Sequence, residues 1–160
     1  MNQSSAAQRI RSIFLQKSLH VSLFAAADLL GLSPADLQAA IDAGEIDSIA
    51  TGVGRRVPRQ ELIAIACQTW SRELIEHMLG ADASAVLPEA LRLAELRARI
   101  PRYQVAMLKY FARRDQISVS AVLARELEDT ASAASEELAA HIPGFAAALA
   151  WPESPVASAA

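Results

Sequence analysis

The chain has little of what several classes of protein require. Its single cysteine, Cys67, cannot form an internal disulfide, as is usual in a reducing cytoplasm. Aromatic residues make up only 5% of the chain and glycine is scarce, whereas alanine and leucine are abundant, so we expect mostly helix. No apolar run approaches the roughly eighteen residues of a membrane span, and the N-terminus lacks a signal-peptide pattern. We therefore expect a cytoplasmic protein without membrane contact.

Signatures of catalysis are also lacking. The sequence contains no glycine-rich phosphate loop, no cluster of histidines and cysteines and no nucleophile motif. Its three histidines, His20, His77 and His141, lie far apart along the chain. We expect no catalytic residues, no metal site and no cofactor, and hence a protein that is not an enzyme.

Charge is segregated along the chain. The net charge is only −3, but residues 91–125 hold eight Lys or Arg against two acids, a balance of +6. Residues 126–160 hold six acids and no Lys or Arg, a balance of −6. A basic block of this kind is typical of phosphate binding. The alternative is that it pairs with the acidic segment of its own chain.

Residues 20–66 contain short helical patterns separated by residues that are typical of helix ends and turns. We expect one helix at 25–30 followed by Gly31, and a second from Ser33-Pro34 to about residue 43, because serine caps helices and proline suits the first turn. EIDSIA and RRVP are strand candidates around TGVG, whose glycines suit a hairpin. A third helix is expected from about residue 59 to Gly80, and an amphipathic helix at 5–19.

This order resembles the winged helix-turn-helix of excisionases and mercury-type regulators. The matching segments are AAADLLGLSPADLQAAIDAGEI, the hairpin glycines, and GRRVPRQEL, in which an arginine-bearing strand leads into a helix. The resemblance implies a DNA-binding domain over residues 20–80. The alternative is a helix-turn-helix that serves only for packing.

The recognition helix implied by this resemblance is poor in DNA-binding residues. It offers Ser33 and Gln38 for polar contacts, but it also carries Asp36 and Asp42, and carboxylates are repelled by phosphates. The wing is better suited to contact the DNA backbone. The expected phosphate contacts there are Arg55, Arg56 and Arg59.

Residues 95–100 alternate with the period of a strand, since Leu96 and Ala98 are set against Arg97 and Arg99. Helical patterns lie on both sides, LPEALRLAE before and VAMLKYFARR after. A lone strand cannot satisfy its backbone, so it must pair with another. The alternative is that EALRLAELRARI forms one continuous amphipathic helix ended by Pro101.

The segment RIPRYQVAMLKYFARRDQISVSAVLARELE resembles the ribbon-helix-helix family of Arc-like and antitoxin-type repressors. It has an arginine–apolar–proline opening and a Ser-x-Ser start of the second helix, over about 95–130 in an expected domain at 91–140. It departs from the family at Gln116, where the turn often has glycine. The resemblance implies a homodimer whose two strands pair antiparallel and enter the DNA major groove.

The resemblance also assigns roles to residues. Leu96, Ala98 and Ile100 would pack on the helices, and the residues facing the bases would be Glu95, Arg97 and Arg99. Arginine suits guanine, and Glu95 would accept from cytosine N4 or else repel phosphate. The phosphate contacts would be Ser118 as helix cap and the amides of Val119 and Ser120. The expected dimer core comprises Ile100, Val105, Leu108, Phe111, Ile117, Val119, Val122, Leu123 and Leu127.

Together these patterns predict a mainly α protein with an N-terminal winged helix-turn-helix, including a small β-hairpin, and a C-terminal ribbon-helix-helix dimer module. The predicted function is sequence-specific binding of double-stranded DNA by a homodimeric transcription regulator or mobile-element factor. The alternative function is an antitoxin-like or adaptor protein whose main role is to bind a protein partner, toxin-like or regulatory.

Overall fold

The computed structural model describes residues 5–152, which are mainly helical with one three-stranded antiparallel sheet. The chain divides into two compact units. Unit 1 comprises the described residues up to Leu87, and unit 2 is Pro88–Trp151. Unit 1 therefore includes a helix before the predicted 20–80 domain, and unit 2 continues beyond residue 140.

Serine caps set the starts of the helices of unit 1. The hydroxyls of Ser5, Ser22, Ser33 and Ser71 each accept a hydrogen bond from an amide in the first turn, which otherwise has no acceptor in the helix. The helices are α1 (Ala6–Leu15), α2 (Leu23–Leu30), α3 (Pro34–Asp42), α4 (Arg59–Thr69), α5 (Arg72–Leu79) and the short α6 (Ala83–Val86).

The prediction of one continuous helix from residue 59 to Gly80 is wrong. The backbone is extended at Trp70, with φ −118° and ψ 143°, and at Ser71, whose hydroxyl accepts from the amide of Leu74. The cap therefore ends α4 and starts α5. The predicted helix at 5–19 is also shorter and ends at Leu15.

The sheet has one strand more than the predicted hairpin. Strands β2 (Ile49–Thr51) and β3 (Gly54–Pro58) form the hairpin, and β1 (His20–Ser22) pairs antiparallel with the other side of β3. The order is β1-β3-β2. Val57 of β3 is buried in the core, so Arg56, its neighbour in the strand, points to the opposite face of the sheet.

Unit 1 has a substantial core. Of the eighteen buried apolar residues within 5–152, fifteen lie in it, and α1 supplies Ile10, Ile13 and Phe14. The turn between α2 and α3 uses Gly31 at φ 70°, where a Cβ would overlap the guanidinium of Arg9. That guanidinium lies 5.5 Å from the ring centroid of Trp70, so the glycine allows α1 to approach closely.

Unit 2 contains a helical hairpin, α7 (Arg102–Asp115) and α8 (Val119–Ala133), followed by α9 (Ser135–His141) and α10 (Phe145–Ala150). Gln116 ends α7 at φ 55° and is the one non-glycine residue with positive φ within residues 5–152. The amides of Gln116 and Ile117 both donate to the Ala112 carbonyl, as in glycine-ended helices. Gln116 therefore adopts a left-handed conformation to which glycine is better suited.

The core of unit 2 is small. Its buried apolar residues are Leu108, Ala112 and Val122, with Phe111 packed against them. These residues lie near the turn, whereas Leu127, further along α8, is exposed. The two helices therefore share a core only at their connected ends, and much of their apolar surface faces outward.

Candidate nucleic-acid interface

The segment that joins the helices of unit 2 to the preceding turn has no regular structure of its own. After a 3₁₀ turn at Glu89–Leu91, residues 93–101 form neither helix nor a strand paired with any residue in 5–152. The predicted strand at 95–100 is therefore not formed in the single chain, and the alternative of a continuous helix through this segment is wrong. The backbone is already extended at Arg92, with ψ 141°. In addition, Pro101 disfavours the helical conformation at Ile100, the residue that precedes it.

Every side chain from Arg92 to Ile100 is exposed. Leu96 is 74% exposed and Ile100 is 42% exposed, so two large apolar side chains lack cover in the single chain. Arg97 Nη2 lies 3.7 Å from Glu95 Oε1. A contact between residues two apart places both on one side of the segment, as in an extended strand. Glu95 and Arg97 therefore lie on one side of the segment, and the contact of Glu95, Arg97 and Arg99 with bases stays a prediction.

The start of α8 lies beyond the turn. The Ser118 hydroxyl accepts from the Ala121 amide at 3.0 Å, so Ser118 caps the helix as expected. Val119 and Ser120 follow in the first turn and are exposed, and amides at this position have no acceptor within their helix. This end of α8 has the polarity that suits an anion.

An ionic network ties the turn together. Asp115 accepts from Arg114 at 2.6 Å and from Arg125 of α8 at 2.9 Å. Hydrogen bonds from these two guanidinium groups lower the pKa of Asp115 to about 2. Arg114 also lies over the ring of Phe111, at 4.7 Å from its centroid. The Asp115 carboxylate thus links the end of α7 to Arg125 of α8.

The residues of the expected dimer core divide into two groups. Leu108 and Val122 are buried within the single chain, Phe111 packs against them and Val105 is half-buried. The rest of the set is exposed in the single chain and comprises Ile100, Ile117, Val119, Leu123 and Leu127. Val119, Leu123 and Leu127 are four residues apart, so they form one stripe along α8.

In unit 1, both polar side chains of the predicted recognition helix are engaged within that helix. Ser33 caps α3 and donates to Asp36 Oδ2 at 2.6 Å. Gln38 Nε2 donates to Asp42 Oδ1 at 2.8 Å. Contact with a base edge requires these side chains to leave carboxylate partners, so α3 is poorly prepared to read DNA.

The two wing arginines point to opposite faces of the sheet, because they are consecutive in β3. Arg55 lies on the side of α3, where its Nη1 is 3.5 Å from Asp42 Oδ1 and 3.4 Å from Ser48 Oγ. Arg56 is exposed on the other face, opposite Ile49 and Ser22 in register.

Arg59 differs from the other two arginines. It is the first residue of α4, is half-buried, and donates from Nη2 to the Phe14 carbonyl at 2.5 Å. Its backbone amide bonds the Leu19 carbonyl at 2.8 Å. These bonds join α4 to the end of α1, so Arg59 is placed for packing and we leave it out of the phosphate-contacting set.

One surface was not anticipated from the sequence. Tyr103, Met107 and Tyr110 are exposed on α7, although their spacing of four and three residues is the signal that would have revealed them. Among residues 5–152, His, Cys, Asp and Glu side chains form no group of three that suits a metal ion. In the same part of the chain, each helix is too short or too polar to cross a bilayer.

Comparison with protein-family models, with curated proteins and with solved structures found no significant match. The function proposed below rests on the residues of this chain.

Proposed function

We propose that this protein is a homodimer that binds duplex DNA sequence-specifically, with unit 2 acting as a ribbon-helix-helix module and unit 1 as a winged helix-turn-helix. The observation that carries the proposal is the exposed segment 94–100, which pairs with no strand within residues 5–152 and in which apolar residues alternate with Glu95, Arg97 and Arg99. The backbone groups of residues 94–100 make no backbone hydrogen bond within the described residues 5–152, and pairing with the same segment of a second copy would supply partners.

The exposed apolar surface supports pairing with a second copy. A three-residue core is small for a unit of this length, and small domains are commonly completed by oligomerisation. Dimerisation would cover Leu96, Ile100 and the stripe Val119, Leu123 and Leu127. Burying a Leu or Ile side chain contributes about 1.5–3 kcal/mol, so a few such residues are enough to hold the dimer together.

The arginines would give the dimer its sequence preference. A two-stranded ribbon fits the width of the major groove, and arginine reads guanine O6 and N7 with two hydrogen bonds. With the apolar residues of the segment against the helices, Arg97 and Arg99 face outward. The Ser118–Ser120 end of α8 would hold a phosphate on either side of the groove.

Unit 1 would contribute affinity more than sequence choice. Its wing carries Arg55 and Arg56, while α3 presents Asp36 and Asp42. We expect Arg55→Ala and Arg56→Ala each to weaken binding to all duplexes alike and to lower the slope of log affinity against log salt by about one. Lys17→Ala, an exposed cation of unit 1, is the control. Titrations at several salt concentrations check this, and a changed sequence preference with an unchanged slope would mean that the arginine reads bases.

Selection of bound sequences from random duplex DNA tests the proposal. The two-fold axis of the ribbon predicts an inverted repeat with guanines at the positions read by Arg97 and Arg99. Failure to enrich any sequence, together with co-purification of a stoichiometric small protein, would favour the protein-partner function instead.

A further inference from the structure

The exposed side of α7 carries an apolar surface for which the DNA proposal has no use. Tyr103, Met107 and Tyr110 are spaced at i, i+4 and i+7, so they lie along one side of the helix. Tyr103 is 71% exposed and Tyr110 is 63% exposed. They turn away from Leu108, which is buried towards α8. Contiguous exposed apolar surface on a folded unit marks an interaction site, and we call these three residues the tyrosine face.

A row of cations borders the tyrosine face. Arg102, Lys109 and Arg113 follow at i, i+7 and i+11 over about 16 Å of helix, and all three are exposed. Within residues 5–152 the side chains of these three residues form no hydrogen bond and no ion pair. Asp115, the one acid of α7, is occupied by Arg114 and Arg125. The border of the tyrosine face is therefore positive and available.

A complementary surface lies on the same unit. Glu128 and Asp129 on α8, and Glu136 and Glu137 in the first turn of α9, are exposed and form no ion pair within the described part of the chain. We call these four residues the acidic surface. Exposed apolar side chains, Leu127 and Ile142, lie close to it in sequence.

Between the basic block and the acidic segment of unit 2, one ion pair forms within the described chain, from Arg125 to Glu126. The ion pairs of the basic block go to nearby acids, Glu89, Glu95, Asp115 and Glu126. Seven charges on two surfaces, three positive and four negative, remain for a partner with the opposite pattern. A second copy of this chain carries that pattern.

We propose that the tyrosine face, with its bordering cations, docks on the acidic surface of a second copy of this chain. About a two-fold axis the same contact forms twice, since each copy offers both surfaces. Tyr, Met and Arg are enriched in interfaces, with polar residues at the rim, and charge complementarity would select the partner and set the register. The contact is additional to the pairing of the 94–100 segments and requires no DNA.

Charge-reversal variants of the full chain test this proposal by sedimentation. One variant carries Lys109→Glu and Arg113→Glu, and the other Glu136→Lys and Glu137→Lys. At about 50 mM NaCl each variant alone should lose the contact, with its dissociation constant raised about tenfold or more, because like charges then face each other in both halves of the interface. An equimolar mixture should regain the contact, since both halves are again complementary.

The mixture also shows that each variant is folded, since only folded chains can restore the assembly. Lys17→Glu and Glu45→Lys in unit 1 are matched charge reversals that should leave the dissociation constant of the contact unchanged. In the wild type, about 500 mM NaCl should dissociate the contact by screening its charges. A wild type that changes from dimer to tetramer as salt falls supports both this contact and the ribbon dimer. A change from monomer to dimer supports the contact and contradicts the ribbon. Equal molar mass for all variants at both salt concentrations, or no recovery on mixing, would overturn the proposal.

Discussion

Unit 2 contains the two longest helices of the described chain, α7 and α8, yet it buries far fewer apolar residues than unit 1. Among the described residues, fifteen buried apolar residues stabilise unit 1, against three in unit 2. Of the seventeen large apolar residues that are exposed in that part of the chain, twelve lie in unit 2. A helix hairpin that keeps its leucines outside is incomplete as a single chain, and the residues that it leaves uncovered indicate where a second chain belongs.

The difference has a local cause in each unit. In unit 1, α4 and α5 pack against α1. Arg59 of α4 also donates a hydrogen bond to the Phe14 carbonyl, near the end of α1. In unit 2, α7 and α8 meet only near Gln116, where Ala112 and Val122 pack, and then leave Leu127 exposed. Unit 1 is complete in one chain, and the hairpin of unit 2 is not.

The largest expected effects distinguish the two cores. Phe14→Ala in unit 1 should lower the free energy of unfolding by about 3–5 kcal/mol, whatever the protein concentration. Leu123 is 38% exposed in the single chain, so a monomeric unit 2 predicts a loss of about 1 kcal/mol for Leu123→Ala at any protein concentration. A dimer that covers Leu123 predicts about 2–5 kcal/mol and unfolding that depends on concentration.

Denaturant unfolding at about 1 μM and about 100 μM measures both effects. A Trp151→Phe background leaves Trp70 to report on unit 1, and a Trp70→Phe background leaves Trp151 to report on unit 2. A Leu123→Ala loss of about 1 kcal/mol or less, equal at both concentrations, would mean that unit 2 is stable alone.

A smaller effect is expected at the turn of unit 2. Gln116 has φ 55°, which costs a residue with a Cβ roughly 1–2 kcal/mol and costs glycine little. Gln116→Gly should therefore stabilise unit 2 by about 1 kcal/mol, after the greater entropy of glycine in the unfolded chain is counted. Gln104→Gly within α7 is the matched control and should destabilise by about 1 kcal/mol. Destabilisation by both substitutions would contradict the left-handed turn.

The smallest expected effect is on the stability of unit 2 at low pH. Hydrogen bonds from Arg114 and Arg125 lower the pKa of Asp115 to about 2, so its carboxylate favours the folded state above its unfolded pKa near 4. That contribution should be lost as pH falls from about 4 to about 2, and Asp115→Asn should remove this part of the pH dependence of unit 2. Thermal unfolding across that range, with Asp129→Asn as a control without an ion pair, measures it. An identical pH dependence in Asp115→Asn and the wild type would show that the network contributes nothing.

Features encoded by neighbouring residues could be predicted from the sequence. Ser33, Ser118 and Gly31 mark helix ends through bonds that span a few residues, and the structure has those ends. Features that need distant partners could not. Strand β1 has three residues, too few for a period, and it exists because His20 pairs with Pro58. Arg59 could not be separated from Arg55 and Arg56, because the carbonyl that it bonds lies forty-five residues earlier.

The candidate site divides in the same way. The alternation at Glu95, Arg97 and Arg99 predicted a shared face, and the contact between Glu95 and Arg97 agrees with it. The break between α4 and α5 carried a signal, the cap at Ser71, that the apolar pattern around it obscured. What covers Leu96 and Ile100 depends on a second chain, so neither the sequence nor one folded copy specifies it.

Binding of Arg99→Ala to the preferred duplex and to random duplexes tests the central claim most directly. If Arg99 reads a base from an intersubunit ribbon, its loss should cost about 1–3 kcal/mol per contact on the preferred site and much less on random DNA. The dimer should stay folded, because the side chain of Arg99 is exposed. Equal small losses on both duplexes would mean that Arg99 is an ordinary surface charge and would contradict the ribbon.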